Sequence, residues 1–317
     1  MPEGLDGLRL DAALSRLFGL SRTAAATVID NGGAWLDGRV RSKSDRVLAG
    51  SVLDVELPSA APTAFAPPQV VEGLRVVHED DSIIVVDKPV GVAAHPSGSW
   101  EGPTVIGGLA AAGHRVSTSG AEERQGVVHR LDVGTSGLMV VAKSEHAYSV
   151  LKDAFRDRTV DKRYHTLVQG HPDPMTGTVD APIDRHPHAR EKMAVRESGR
   201  HAVTHWEIVE SFKGPDGKPV ASLIACQLET GRTHQIRVHL AHIGHPLMGD
   251  PVYGPHFKTK AAHLGPQSQK ALSGLDRQAL HAYLLALEHP KTGAILEWRS
   301  DLPQDLTDLR DRLRAAL

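Results

Sequence analysis

A compact turn between two short β-rich runs is the most restrictive feature of this chain. The segment His129-Arg130-Leu131-Asp132 continues into Val133-Gly134-Thr135-Ser136-Gly137-Leu138, and residues 126–128 and 138–142 on either side have the composition of strands. The chain is therefore expected to place one carboxylate, that of Asp132, in a tight turn. A carboxylate held in this way is typical of a nucleophile or an orienting group. An aspartate that only shapes the turn is the alternative.

Composition narrows the class of protein. The 317 residues suffice for one large and one small domain, and 40% of them are hydrophobic. The net charge of −2 shows no basic excess, so contacts with nucleic acid would need local basic patches. The single cysteine, Cys226, lies in an apolar run at 220–228 and is expected to be a buried thiol in a strand. With no signal peptide or long apolar span, we expect a cytoplasmic protein that does not enter membranes.

Residues 8–57 have the pattern of a small independent module. Ser21 is suited to cap a helix over 21–29, Asp37-Gly38 is a tight-turn pair, and residues 51–57 alternate as a strand does. An earlier helix is predicted from apolar residues at helical spacing, namely Leu10, Ala13, Leu14 and Leu17.

This order of elements resembles the RNA-binding domain named after ribosomal protein S4. The motifs that carry the resemblance are Arg9-Leu10-Asp11, Ser21-Arg22, Asn31-Gly32 and Asp37-Gly38. A stretch rich in proline and alanine follows and lacks periodicity, which is typical of a linker. We therefore predict an S4-like domain over 1–58, a linker over 59–70 and a catalytic domain over 71–317.

Two basic segments are candidates for RNA contact. After the predicted hairpin turn, one loop holds Arg39, Arg41, Lys43 and Arg46, and Arg22 begins the helix expected near the same hairpin. Residues 185–200 form the second segment, with five basic and two acidic residues, an excess of three. For both segments a solvated surface loop is the alternative.

Strand and helix signals mix beyond the linker. Hairpins outnumber strand-helix-strand alternation, so we predict an α+β fold with a mixed, mostly antiparallel central sheet flanked by helices. The expected elements are strands over 74–78, 83–86, 164–168 and 204–209 and helices capped by Thr104 and Ser144. Residues 258–276 are polar and weakly patterned and are expected to form a surface loop.

Two separate segments resemble the signatures of one family. The first runs from His129 to Lys143, and the second is Leu228-Glu-Thr-Gly-Arg-Thr-His-Gln-Ile-Arg237. Both are similar to signatures of the pseudouridine synthases of the RluA/RluD type, which modify ribosomal RNA. Further matches are Asp87-Lys88-Pro89-Val90-Gly91, His95-Pro96, Gly244-His245-Pro246 and Gly249-Asp250-Pro251-Val252-Tyr253-Gly254.

The resemblance implies that the chain isomerises uridine to pseudouridine in RNA, with large-subunit (23S) ribosomal RNA as the expected partner. It implies that Asp132 is the nucleophile, that Arg237 pairs with it and that Tyr164 stacks on the flipped base. Ile236 would line the same pocket, and Arg130 would fill the gap left by the flipped nucleotide or bind a phosphate. Transfer RNA as the target, and attack by Asp132 on either the sugar or the base, stay open.

The chemistry itself requires neither a metal nor a cofactor, and we predict none. Breaking the uracil–ribose bond and remaking it at carbon 5 needs a nucleophile and an aromatic face for the base. An ordinary tyrosine is a poor base at neutral pH. His239, His242 and His245 are spaced by three, which does not bring all of them to one helix face as a zinc site requires. A non-catalytic RNA-binding or ribosome-assembly factor is the alternative function, and we expect a monomer.

Overall fold

The computed structural model describes residues 1–18, 22–56, 68–96, 100–120, 124–189, 192–255 and 263–315, except the side chains of Glu3, Arg22, Thr23 and Ala24. The chain divides into two compact units. One comprises Met1–Phe65 with Gly120–Glu123, and the other comprises Ala66–Ser119 with Arg124–Leu317. Within the described ranges, no helix is long and apolar enough to cross a membrane.

The first unit packs two helices against a small antiparallel sheet with strand order β2-β1-β3. Asp37-Gly38 forms the turn between the first two strands, with φ angles of 51° and 72° that suit this pair. The elements are a 3-10 turn at Glu3–Leu5, α1 (Leu10–Phe18), α2 (Arg22–Asp30), β1 (Ala34–Leu36), β2 (Arg39–Val40) and β3 (Leu53–Val55).

Three sequence predictions for this unit differ from the structure or fall in part outside the described residues. Leu10 and Leu14 are fully buried, but Leu17 is 40% exposed, so the apolar face of α1 ends one turn earlier than its spacing indicates. Of the strand predicted over 51–57, residue 57 lies outside the described residues, and within 51–56 pairing with β1 is limited to Leu53–Val55. The proposed cap, Ser21, lies outside the described residues.

The second unit is built on a nine-stranded sheet in the order β4-β5-β6-β13-β7-β12-β11-β8, with β14 paired to β13. Among the strands that the structure describes, β6 and β13 are the one parallel pair, which confirms the predicted mixed, mostly antiparallel α+β sheet. A separate hairpin consists of β9 (Ile183–Arg185) and β10 (Met193–Val195). The sheet strands are β4 (Arg75–Glu79), β5 (Ile83–Lys88), β6 (Ser136–Ala142), β7 (Asp161–Gln169), β8 (Thr176–Asp180), β11 (Val203–Lys213), β12 (Pro219–Leu228), β13 (Leu280–Glu288) and β14 (Ile295–Arg299).

Helices cover both faces of this sheet, so its central strands are buried on both sides. Ile84 and Met139 contribute to a core shared with the helices at 105–111 and 235–242, whereas Ile83 and Leu138 contribute to a core shared with the helix at 145–157. This alternation follows from the two-residue period of a strand. The helices are α3 (Val105–Ala111), α4 (Glu145–Asp157), α5 (Gln235–His242), α6 (Pro266–Ser273) and α7 (Gln304–Arg314).

Several local predictions are confirmed and two are wrong. The Thr104 and Ser144 hydroxyls accept hydrogen bonds from the third amide beyond them, as caps do, and Cys226 is buried in β12. Residues 126–128 form an isolated bridge, between Val127 and Val141, rather than a strand, because Gly126 is left-handed with φ at 73° and cannot continue an extended run. Residues 258–276 are not simply a loop, since α6 lies within them and packs against α7.

Candidate active site

Asp132 lies in the bend that leads into β6, and hydrogen bonds and close packing fix the conformation of this turn. The amide of Thr135 donates to the carbonyl of Asp132 at 2.9 Å. The Lys88 ammonium is buried and donates to the Val133 carbonyl at 3.4 Å and to the Val92 carbonyl at 2.7 Å. Gly134 passes so close to Gln278 that a β-carbon there would collide with its amide. The carboxylate is thus held on a rigid turn rather than a free loop.

The histidine of the first signature also supports this turn. His129 Nε2 accepts a hydrogen bond from the Val140 amide at 3.0 Å, and its ring stacks on Phe155 with centroids 4.5 Å apart. Burial, together with the charge of Lys162, lowers the pKa of His129 to about 3. The ring is therefore neutral at pH 7 and ties the segment before Asp132 to the sheet.

Arg237 reaches Asp132 from the first turns of α5. Its Nη1 donates to Asp132 Oδ2 at 3.3 Å, which brings together positions that only the family resemblance had linked. The side chain is 5% exposed, and its guanidinium lies over the Tyr253 ring, 5.2 Å from the centroid. Burial opposes the charge of Arg237, but hydrogen bonds and charge from Asp250 and Asp132 raise its pKa. A permanent cation therefore faces the carboxylate.

A second carboxylate, Asp250, holds that arginine in place. Arg237 Nε and Nη2 donate to its two oxygens at 2.7 and 3.0 Å, a shorter and bidentate pair. The Asp250 side chain is fully buried, and its Oδ1 also accepts from the amides of Val252 and Tyr253 at 2.8 and 3.0 Å. The orientation of Arg237 is thus set by Asp250, which leaves Nη1 for Asp132.

Asp132, Arg237 and His129 line a cavity of about 380 Å³, a size typical of small-ligand sites. Tyr164 on β7 and Ile236 on α5 form part of its wall and are 7% and 3% exposed. Burial and the charge of Asp132 raise the pKa of Tyr164, so its hydroxyl keeps its proton at neutral pH. The cavity offers an aromatic face, an apolar side chain and a carboxylate paired with a cation.

The rim of the cavity carries several cations. Arg130 is exposed and lines the cavity, and so does Arg232. Arg232 Nε donates to the His201 carbonyl at 3.0 Å, and Arg158 Nη2 lies 3.4 Å from His201 Nδ1. Burial, with the charges of Arg200 and Arg158, lowers the pKa of Arg232. Like charges gathered at one rim are suited to an anion such as a phosphate.

Two of the basic residues predicted to contact RNA already have polar partners within the first unit. The Lys43 ammonium pairs with Asp30 at 2.9 Å, and Arg46 Nη1 donates to the Gly7 carbonyl at 2.6 Å. Arg39 lies in β2 and is exposed, while Arg41 is half-buried. Arg22 begins α2, and its side chain is not among those described.

The histidine series considered for a metal has internal hydrogen-bond partners. His239 is buried and pairs through Nδ1 with the Thr204 hydroxyl and through Nε2 with the Ala181 carbonyl, both at 2.9 Å. His245 Nδ1 contacts the Gln169 carbonyl at 3.0 Å. In the parts of the chain that the structure describes, no three histidine, cysteine or acidic side chains are arranged to hold a metal ion.

Comparison with known proteins assigns this constellation to a family. Residues 82–242 match the family model described as RNA pseudouridylate synthase. The chain belongs to this family. It is an RNA pseudouridine synthase, an isomerase, which favours the enzyme over the alternative of a non-catalytic binding factor.

Similar proteins align with the synthase over almost its whole length. An uncharacterized RNA pseudouridine synthase of Mycobacterium bovis is 54% identical over 306 residues, 96% of this chain and 94% of that protein. The ribosomal large subunit pseudouridine synthase D of Pseudomonas aeruginosa is 40% identical over 317 residues, 99% and 94% of the two chains. The enzyme of the same name from Escherichia coli K12 is 39% identical over 316 residues, 98% and 91%.

Solved structures support the fold of the synthase. Human RNA pseudouridylate synthase domain containing 4 aligns with a TM-score of 0.57 and 26% identity, over 76% of this chain and 93% of that one. Human RNA pseudouridylate synthase domain containing 1 aligns with a TM-score of 0.56, also at 26% identity, over 78% and 97%.

Motif reasoning assigned no role to three residues that complete the site. Asp250 and Tyr253 lie within the stretch 249–254, and His234 lies within the second signature. The sequence therefore identified both motifs but not the contacts that these residues make. His234 Nε2 is 3.9 Å from Asp132 Oδ2, and its Nδ1 is 3.0 Å from the Tyr253 hydroxyl. The presence of these charged or polar residues in two motifs that match one family was the signal that they share one site.

Proposed function

We propose that this synthase isomerises uridine in large-subunit ribosomal RNA, with Asp132 as the nucleophile. The observation that carries the role of Asp132 is its contact with Arg237 inside the cavity, at 3.3 Å. The names of the relatives from Pseudomonas aeruginosa and Escherichia coli support the substrate, because both proteins align with at least 98% of this chain. We also propose that the protein acts as a monomer in the cytoplasm.

Asp132 is suited to attack because its orientation is fixed before substrate enters. The carboxylate is 19% exposed, and the turn that bears it is held by Lys88 and the Gly134 packing described above. Arg237 contacts Oδ2, which leaves Oδ1 to approach the ribose or the base. Preorganised groups of this kind lower a barrier because they need not reorganise during the reaction.

Tyr164 and Ile236 are proposed to hold the base after it has left the RNA stack. An aromatic face binds a flipped base through stacking, and an apolar neighbour excludes water. The raised pKa of Tyr164 argues against its action as a base at neutral pH. Its contribution is therefore the ring, with the hydroxyl as a hydrogen-bond donor.

The rim cations are proposed to hold the RNA backbone beside the flipped nucleotide. Arg130 is exposed next to the nucleophile, and Arg158, Arg200 and Arg232 converge around His201. Phosphate contacts of this kind fix the register of the RNA without reading its sequence. Basic residues of the first unit, Arg39 foremost, are proposed as weaker contacts.

Release of tritium from RNA labelled at carbon 5 of uracil tests this proposal. Ribosomal RNA from cells that lack the protein is the substrate, and transfer RNA from the same cells is the comparison. We expect release from large-subunit ribosomal RNA by wild type and none by Asp132→Asn, with RNA binding retained. Asp153→Asn, an exposed carboxylate on α4, is the matched control and should behave as wild type. Turnover by Asp132→Asn at the wild-type rate would overturn the role of Asp132, and release from transfer RNA alone would overturn the substrate.

A further inference from the structure

His234 occupies an unusual position at the start of α5, beside the nucleophile. Its backbone is left-handed, with φ at 57°, a conformation that costs free energy in any residue other than glycine. This backbone directs the ring into the cavity, where Nε2 lies 3.9 Å from Asp132 Oδ2. That separation is too long for a hydrogen bond. In the described part of the chain Nε2 has no other polar partner, so it is available to a substrate.

The opposite side of the ring is tied to Tyr253. His234 Nδ1 is 3.0 Å from the Tyr253 hydroxyl, and the two rings meet edge to face at 82°. The same hydroxyl accepts a hydrogen bond from the Met193 amide at 2.9 Å. An amide can only donate, so the hydroxyl accepts there and still has its single proton to donate, and we assign that proton to a hydrogen bond with His234 Nδ1, its second polar neighbour. In a neutral ring, Nδ1 is then the acceptor and Nε2 carries the hydrogen.

The charges around the ring favour its neutral form. Burial, with the cations Arg237 and Arg130, lowers the pKa of His234, while the carboxylates Asp132 and Asp250 raise it, and the net direction is downward. Burial, as the largest cause, raises the pKa of Tyr253, so its hydroxyl keeps the proton that it donates. At neutral pH the cavity therefore contains a neutral N–H donor that points toward the side on which Asp132 lies.

We propose that His234 is a catalytic residue whose Nε2–H donates a hydrogen bond to a carbonyl oxygen of the detached uracil, with Tyr253 as the positioning residue that fixes the tautomer. On the route in which Asp132 attacks the ribose, the C1′–N1 bond breaks as an Asp132 oxygen bonds to C1′, and the electron pair of the broken bond stays on the base and spreads onto the carbonyl oxygens. The C5–C1′ bond then forms as the bond between Asp132 and C1′ breaks, which restores the carboxylate. The hydrogen on carbon 5 passes to water as a proton, and nitrogen 1 takes a proton from water. His234 keeps its own proton throughout, and no oxidant or reductant is needed.

The uracil anion is the substrate group that this donor fits best. A phosphate would be held by the arginines at the rim, which carry full charge. The base acquires its negative charge only during the reaction, so a donor placed here stabilises the transition state more than the bound substrate. Removal of one such donor from an enzyme site lowers the rate constant by about 10²- to 10³-fold.

Single-turnover tritium release with the RNA that wild type modifies is the test, and it rests on the proposed function. We expect His234→Ala to lower the rate constant by about 10²-fold, with RNA affinity within about twofold of wild type. His234→Gln retains an N–H donor and should recover part of that loss. A rate constant for His234→Ala within threefold of wild type would overturn the inference. If Asp132→Asn is inactive while His234→Ala is active, only this inference fails, and the proposed role of Asp132 stands.

The variant Tyr253→Phe distinguishes a role in positioning His234 from a role in folding. It retains the ring beneath Arg237 and removes the hydroxyl that contacts His234. We expect an intermediate loss of rate, with a mixture of tautomers in the ¹⁵N NMR spectrum of the His234 imidazole. The wild-type spectrum should show hydrogen on Nε2 alone. Hydrogen on Nδ1 in wild type, or an unchanged spectrum in Tyr253→Phe, would overturn the positioning role even if the variant unfolds more readily.

Discussion

The turn at Asp132 and the basic loop at 39–46 both concentrate ionisable side chains, but they differ in how those side chains are held. Beside the cavity, Arg237 and Asp250 are buried and make several directed hydrogen bonds. In the loop, Lys43 forms one ion pair with Asp30 at the end of α2, and both side chains are about half exposed. Buried pairs are strongly coupled to stability and geometry, whereas exposed pairs contribute about 0–1 kcal/mol. The charged side chains of the loop can assist RNA binding, whereas those beside the cavity are held in a fixed orientation that can direct a reaction.

The largest expected effect is that of Arg237→Met. It leaves the Asp250 carboxylate buried without a cation, which costs about 3–5 kcal/mol in the free energy of unfolding. Loss of the cation beside Asp132 should also lower tritium release by at least about 10²-fold. Urea unfolding and single-turnover release measure the two effects separately.

The double variant Arg237→Met/Asp250→Asn separates stability from catalysis. Both buried charges are removed, and the asparagine oxygen can still accept from the amides of Val252 and Tyr253. We expect most of the stability to return and activity to remain low. Recovery of activity together with stability would mean that Arg237 acts only through the fold.

Tyr164 should show a smaller effect that depends on the substituent. Tyr164→Ala removes the aromatic face and should lose about 1–3 kcal/mol of base stacking. Tyr164→Phe keeps the ring, and the hydroxyl is not expected to act as a base, so this variant should retain more activity than Tyr164→Ala. Equal loss in both variants, measured as single-turnover tritium release, would show that the hydroxyl rather than the ring is needed.

The fold could be predicted from local patterns wherever one short segment determines an element. Thr104 and Ser144 cap their helices, and β5 is a continuous apolar run because it is buried on both faces. Leu17 has helical spacing but is exposed, since spacing does not show where the neighbouring elements end. Helix α6 was missed because its sequence is mostly polar, and its two apolar residues at the C-terminal end, Ala271 and Leu272, pack against the core that α7 shares.

The site was harder to predict because its contacts join distant positions. Asp132 and Arg237 are 105 residues apart, and only the family resemblance linked them. Asp250 was overlooked although it makes the stronger pair with Arg237, because a carboxylate in a motif does not name its partner. The tautomer of His234 depends on the Met193 amide, which lies in a hairpin that sequence indicated only as a possible RNA contact.

Lys88 is buried, whereas Lys43 is about half exposed, and burial of Lys88 should make the stability of the protein depend on pH. Burial, opposed by the charge of Asp132, lowers the pKa of Lys88 to about 7 in the folded protein. A lysine in the unfolded chain has a pKa of about 10.4. Between the pKa of the folded state and that of the unfolded state, the unfolded state therefore binds a proton that the folded state has released. The free energy of unfolding should therefore rise with pH across this window, and the gain is lost as pH falls toward 7.

Urea unfolding at pH 7 and 9.5 tests this linkage. The gain between the two values should be smaller in Lys88→Met than in wild type by about 3 kcal/mol at most. Lys43→Met, which removes an exposed cation, is the control for loss of charge. Parallel stability curves for wild type and Lys88→Met would mean that the buried ammonium stays charged, stabilised by its carbonyl partners.

The smallest effect is expected in the basic loop. Arg39 is exposed in β2, and Arg39→Gln should weaken RNA binding by two- to threefold and reduce the salt dependence of binding by about one ion. Turnover at saturating RNA should not change, because the loop does not orient the reacting groups. Lys218→Gln removes one exposed charge from the second unit and is the matched control. If both variants bind RNA as wild type does, the loop is only a solvated surface, and the contrast between the two regions becomes one between a functional site and an ordinary charged loop.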